Sequence, residues 1–194
     1  MLNRYILPQK VSRVDAMLTV DDDVLLTEGL LLCMLGQLRA HPDSIVGLGP
    51  RHVDPVTGNY MSKSAAYQPN VIIGKTMLMH RRLHRLVADS SEELRSKARR
   101  GEVCASCDDL VVNAIVSAAT GVGPVVVESK TWPNVLMRLP SADGVSTKDR
   151  STWYGPTGRR SQCVRYLMKF FHDVDELWQP KAVPQSLRCT AMPT

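Results

Sequence analysis

The chain has 194 residues, 44% of them hydrophobic, and a formal net charge of +5. That length suits about one domain with a real core. No apolar run approaches the roughly 18–20 residues that cross a bilayer, and the opening MLNRYILPQK lacks an apolar signal core before a small-residue cleavage site. The positive charge is densest over residues 80–100, HRRLHRLVADSSEELRSKARR, but Asp89, Glu92 and Glu93 interrupt it and no aromatic residue is interleaved for base stacking. The mixture reads as a solvated helical surface, so no nucleic-acid partner is expected.

In chain order, Val14, Ala16, Leu18 and Val20 alternate, with Met17 on the other face, which predicts a short strand covered on both sides. Three aspartates, Asp21, Asp22 and Asp23, end it. Thr27 is placed to cap a helix with apolar positions at Leu31, Met34, Leu35 and Leu38, stopped by Pro42. SIVGLGP (44–50) reads as a strand, DPVTGNY (54–60) as a turn and NVIIGKTMLMH (70–80) as a strand interrupted at Gly74. After the polar helix, DDLVVNAIVSAATG (108–121) predicts a second helix, with aspartates at its start, Leu110, Ala114, Ile115 and Ala118 apolar, and Gly121 past its end. PVVVES (124–129) is a β-branched strand. Residues 141–160 read as a polar loop, 161–178 as an amphipathic helix and the rest as a poorly ordered tail. Strands alternating with helices predict an α/β sandwich, whose ligands bind beyond the carboxyl ends of the strands, where the aspartates fall.

Three adjacent carboxylates repel one another unless a hard cation neutralises them. Asp21 and Asp23 share a face of an extended segment while Asp22 points oppositely, and such a pair can hold Mg²⁺ or Mn²⁺ against a diphosphate. The same residues equally suit a solvated acidic turn that caps the following helix. CASCDD (104–109) offers two further readings of Asp108 and Asp109: helix caps, or a carboxylate pair at a helix mouth acting as base or charge stabiliser. Its Cys-x-x-Cys lacks a second ligand pair for zinc, and His80 with His84 lacks the glutamate of a zinc-protease helix. GPTGRR (155–160) puts glycines beside arginines, as at a phosphate or in an exposed hairpin.

Together these motifs resemble the exostosin-like glycosyltransferases, glycosyltransferase family sixty-four. The resemblance is carried by LNRYILP, AMLTVDDDVLL, PDSIVGLGPR, NVIIGKTMLMHR, SCDDLVVNAIVSAATG and WYGPTGRRSQC, in order, from about Leu2 to Phe171. Asp-x-Asp alone is widespread. Its combination with Cys-Asp-Asp before a helix containing Asn113, and with a later Arg-Ser-x-Cys, is far more specific.

The resemblance implies an α/β/α GT-A fold, N-terminally truncated, over residues 1–178, with 179–194 as tail. It implies a retaining transfer of a sugar, of N-acetylhexosamine type, from a nucleotide-diphosphate donor to a glycan or glycolipid acceptor, dependent on Mn²⁺ or Mg²⁺. Asp23 would ligate the metal directly, with Asp21 nearer the nucleotide ribose and Asp22 beside them. Arg4 would contact the nucleotide. Asp108 and Asp109 would stand at donor sugar and acceptor, Asp109 nearest the anomeric carbon, with Arg160 at the diphosphate or donor sugar and Trp153 supporting the acceptor. Cys107 and Cys163 match the family's disulfide pair, a bond that belongs to an oxidising compartment such as the Golgi or endoplasmic reticulum lumen. Membrane attachment would lie in a segment absent from this chain. The alternative is an inactive GT-A-like module that acts by binding.

Overall fold

A computed structural model of the chain describes residues 14–22, 24–61, 67–99, 107–128, 150–172, 177–179 and 187–188. In chain order its elements begin β1 (Ala16–Val20), α1 (Glu28–Ala40), β2 (Val46–Gly47), β3 (Pro50–Val53), β4 (Tyr60–Met61), β5 (Val71–Ile72) and β6 (Thr76–His80). They continue with α2 (Arg81–Arg99), α3 (Asp108–Thr120), β7 (Val125–Glu128), α4 (Arg150–Trp153), α5 (Arg159–Phe170) and β8 (Leu187–Arg188). The expected mixed α/β architecture is the one observed.

The main sheet runs in the order β1-β6-β2-β7-β8. β6 pairs antiparallel with both β1 and β2, whereas β2–β7 and β7–β8 are parallel. Alternation along the strands divides the core in two, because successive side chains point to opposite faces. Val46, Leu78, Val125 and Val127 pack with Leu30, Met34 and Leu38 of α1. Ile45, Met77, Met79 and Val126 point the other way, into a larger cluster with residues of α2, α3 and α5. The sheet therefore lies between helical layers. A smaller sheet, β4-β3-β5, extends the α3 side and carries Val53, Tyr60, Val71 and Ile72 into that larger core.

Several local expectations hold at the level of atoms. The Thr27 hydroxyl accepts from Leu30 N at the start of α1, and Gly121 ends α3 in the left-handed region, at φ 66°, with its N–H on Ser117 O. Others shift. The buried stripe of α1 is Leu30, Met34 and Leu38, one position away from the expected Leu31 at its first turn. β1 is covered less than predicted: Thr19 is its buried residue, and Val20 is 40% exposed. The polar stretch 141–160 contains the short helix α4 and the first residues of α5. Helix α5 ends at Phe170, well before the expected Trp178; Leu177 and Trp178 instead fold back as buried core residues. Within the expected tail, Leu187 and Arg188 add a parallel strand beside β7.

Two asparagines join the pieces by serving as substitute strand edges. Asn70 accepts from Val53 N (2.8 Å) and donates to Val53 O (2.8 Å) and to Trp178 O (2.7 Å). Asn113, on α3, accepts from Ile72 N (3.1 Å) and donates to Ile72 O (2.8 Å) and to Asp109 O (2.7 Å). Buried main-chain groups must be paired, and here a side-chain amide supplies both donor and acceptor where no neighbouring strand does. Asn113→Leu leaves the Ile72 N–H and C=O buried without partners, so chemical denaturation is expected to show a loss of about 2–4 kcal/mol. A change within the noise of the measurement would mean that the amide clamp is dispensable.

Candidate active site

The first turn of α3 carries Asp108 and Asp109, both buried, at 8% and 3% exposure. Their helix starts without a side-chain cap from Cys107. Carboxylates are favoured there, since the unpaired N–H groups and the helix dipole present positive charge. Asp109 uses both oxygens. Its Oδ1 accepts from Leu110 N at 2.9 Å; its Oδ2 accepts from Arg160 Nη1 at 3.0 Å and from Gly74 N at 3.3 Å.

Arg160 reaches Asp109 from the first turn of α5 and is only 16% exposed. Two positive residues at a helix N-terminus oppose the dipole, so each needs its own compensation. Arg160 lies 4.9 Å from the centroid of the Tyr60 ring in addition to its ion pair, and Arg159 lies 5.5 Å from that of Trp153. Burial alone would lower the Arg160 pKa, but the charge of Asp109, with contributions from Tyr60 and Cys107, raises it above the ordinary value. The guanidinium is a fixed cation.

Turn chemistry sets where α5 begins. Gly155 adopts φ 85°, and its carbonyl accepts from Gly158 N and the Ser161 hydroxyl, while Ser161 Oγ accepts from Tyr60 N at 2.9 Å. A side chain at Gly158 would put a Cβ 2.5 Å from Tyr154 O, so this position admits only glycine unless the backbone shifts. The resulting hook ties β4 to the arginine-bearing helix.

Asp21 stands across the β5–β6 connection from this cluster. Its N–H donates to Lys75 O at 2.9 Å, one residue along from the Gly74 N–H that meets Asp109, and its own carbonyl accepts from Val24 N. The carboxylate-bearing end of β1 and the mouth of α3 are thus both pinned to the same two-residue turn. Asp21 is half-buried and Asp22 exposed. Asp23 and Arg4 lie outside the described residues. Among the described residues no group of three His, Cys, Asp or Glu side chains is gathered as a metal site. Hard carboxylate oxygens at a strand end nevertheless suit a divalent cation that takes its remaining ligands from phosphate and water.

The structure brings Asp109, Arg160 and Cys107 together, with Tyr60 and Arg51 beside them. Tyr60 is 2% exposed, burial raises its pKa above the ordinary value against the pull of Arg160, and its hydroxyl has no partner among the described residues. Arg51 Nη1 donates to Pro50 O, while its buried Nε has no partner among the described residues. No motif marked these two: their relation to the site depends on the β3–β4 hairpin, which the sequence displayed only as a turn. Trp153 is buried, with Arg159 beside its ring and Tyr154 next in sequence packed against Tyr60 at 6.0 Å.

The cysteine pairing differs from expectation. Cys107 is a free, buried thiol, so it does not bridge to Cys163, which is itself disulfide-bonded. Burial, reinforced by Asp109 and Asp108 against the opposing Arg160, pushes the Cys107 thiol up to about 12. A thiol reacts through its thiolate, so in folded protein at pH 8 the Cys107 peptide should stay unlabelled by iodoacetamide, becoming labelled on unfolding without reductant. Mass spectrometry reads both states; no labelling after unfolding would restore the Cys107 disulfide.

Comparison with known proteins bears on this arrangement. The glycosyl transferase family 64 domain matches residues 1–179. Exostosin-1c of Danio rerio is 28% identical over 172 residues, which cover 85% of this chain and 22% of that protein. The chain thus spans about a fifth of the length of this relative. Among the described residues, no helix is long and apolar enough to cross a membrane. With nearly all of its length matched by the family, from the aspartates after β1 to the arginine of α5, the chain belongs to glycosyl transferase family 64.

Proposed function

We propose that this chain transfers a sugar from a nucleotide-diphosphate donor to a glycan or glycolipid acceptor, with retention at the anomeric carbon, and that Asp109 and Arg160 are its central pair. The observation that carries the reading is the buried Asp109–Arg160 ion pair at the mouth of α3, pinned to the turn that also holds the end of β1. It juxtaposes fixed charges of opposite sign in a poorly solvated place, where they act strongly on charge that develops during reaction.

In that transfer the bond between the anomeric carbon and the diphosphate oxygen breaks, the acceptor hydroxyl oxygen takes its place, and the hydroxyl proton leaves with the diphosphate. Asp109 opposes the positive charge that grows on the sugar, and the Arg160 guanidinium opposes the negative charge that grows on the leaving group. Asp108 and Trp153 belong to the neighbouring donor and acceptor surface, and Arg4 to the nucleotide. Asp21 and Asp23 would hold Mn²⁺ or Mg²⁺, with Asp22 beside them. Bound there, the cation neutralises diphosphate charge. An N-acetylhexosamine is the donor sugar the family resemblance favours, and the Golgi or endoplasmic reticulum lumen the compartment, with membrane attachment outside this chain. The disulfide-bonded state of Cys163 supports an oxidising location.

Release of nucleoside diphosphate from a panel of nucleotide sugars, with and without acceptor, tests the reading. Asp109→Asn keeps the size but removes the charge and turns one of the two accepting oxygens into a donor; provided a thermal melt shows it folded, it is expected to lower kcat roughly a hundredfold or more. Activity close to wild type in this variant would exclude Asp109 from the reaction, and no turnover by the wild-type chain would favour a binding module. Mn²⁺ titration is a separate check: Asp23→Ala should weaken the metal affinity at least about tenfold, on the scale of losing a carboxylate ligand, and unchanged affinity would remove Asp23 from the metal site.

A further inference from the structure

Three contacts converge on Tyr60. Its N–H donates to Ser161 Oγ at 2.9 Å, its ring packs against that of Tyr154 at 6.0 Å, and the Arg160 guanidinium carbon lies 4.9 Å from its ring centroid. Arg160 therefore meets an aromatic surface as well as the Asp109 carboxylate, and the two contacts together restrict a side chain that otherwise has many rotamers. We propose that Tyr60 is a positioning residue, whose ring aims the Arg160 guanidinium at Asp109 and at the leaving group. The inference rests on the proposed transfer reaction and adds to it a residue that touches neither donor nor metal.

The chemistry of the ring suits this task. A neutral aromatic face attracts a cation through its quadrupole, without the full charge that would draw Arg160 away from Asp109. Burial keeps the Tyr60 hydroxyl protonated, and that hydroxyl makes no hydrogen bond among the described residues. Positioning is therefore assigned to the ring rather than to the oxygen, a division that Tyr60→Phe tests directly. Ser161 supplies the control: it links β4 to the turn before α5 through Tyr60 N and Gly155 O, so removing its hydroxyl weakens the same junction and leaves the aromatic surface in place.

The experiment compares Tyr60→Phe, Tyr60→Leu and Ser161→Ala by steady-state kinetics, thermal melting and the NMR signal of the Arg160 Nε–H, assigned by its loss in Arg160→Lys. Tyr60→Leu should lower kcat roughly tenfold or more, since a displacement of about 1 Å at a reacting centre has effects of up to a hundredfold, with the donor KM little changed. Tyr60→Phe should retain most of the rate. Ser161→Ala should lower the melting temperature while losing much less rate than Tyr60→Leu. In wild type and Tyr60→Phe the Arg160 signal should be shifted upfield by the ring, and in Tyr60→Leu it should return toward the value of a free arginine. Equal rate losses in Tyr60→Leu and Ser161→Ala, or a loss as large in Tyr60→Phe, would overturn the proposal. If the wild-type chain turns over no nucleotide sugar, the transfer reading fails by itself. The NMR signal then decides the geometry: an upfield shift that survives in Tyr60→Leu refutes aiming by the ring, and its loss supports it.

Discussion

Burying the carboxylate of Asp109 at 3% exposure would cost several kcal/mol if its charge met nothing, and three separate elements are arranged to meet it. The first turn of its own helix supplies Leu110 N, the turn before β6 supplies Gly74 N, and the start of α5 supplies Arg160. The arginine faces the same penalty from its side, being 16% exposed. Neither charge is tolerable alone, so the ion pair ties α5 to α3 and fixes where the two charges stand. A junction of this kind is stabilising only while both partners are present, because the remaining member would be buried unpaired.

The supporting framework solves a related problem with neutral groups. β5 is only two residues long, and β3, which pairs with one side of it, leaves the other side open to α3. Asn113 closes that side, and its third hydrogen bond goes to the main-chain carbonyl of Asp109. The residue that satisfies the strand thereby also fixes the backbone from which the key carboxylate projects. Asn70 repeats the device at Val53 and Trp178, drawing the chain after α5 onto the small sheet. Polar side chains, rather than longer strands, hold the small sheet to the rest of the core.

Features governed by local spacing were legible in the sequence. The Thr27 cap, the Gly121 stop, the strand interruption at Gly74 and the acidic opening of α3 all depend on residues within about one turn of one another, and they are found where expected. The role of Asp109 could be anticipated only as one of two options, helix terminus or charged site, and the structure places it in the first turn of α3 with its carboxylate on Leu110 N and Arg160. What stayed hidden depends on distant partners. Tyr60 and Ser161 are 101 residues apart, and Asp109 and Arg160 are 51 apart, so neither contact leaves a periodic trace. The Asp109–Arg160 neighbourhood was accessible through family resemblance, whereas the Tyr60 ring required the hairpin to be folded. The expected Cys107–Cys163 bond shows the opposite lesson: matching positions do not determine pairing when a cysteine has more than one candidate partner.

The turn at Gly74 and Lys75 has a mechanical consequence. It gives its carbonyl at Lys75 to the end of β1 and its amide at Gly74 to the mouth of α3. Consecutive Cα atoms across a trans peptide are held about 3.8 Å apart by bond geometry. The gap between the two acidic segments is therefore bounded by the reach of two consecutive residues, and within that reach the Gly74 and Lys75 backbone torsions set it. Side-chain repacking elsewhere can tilt the helices, but it cannot widen the gap beyond that reach without breaking one of the two hydrogen bonds.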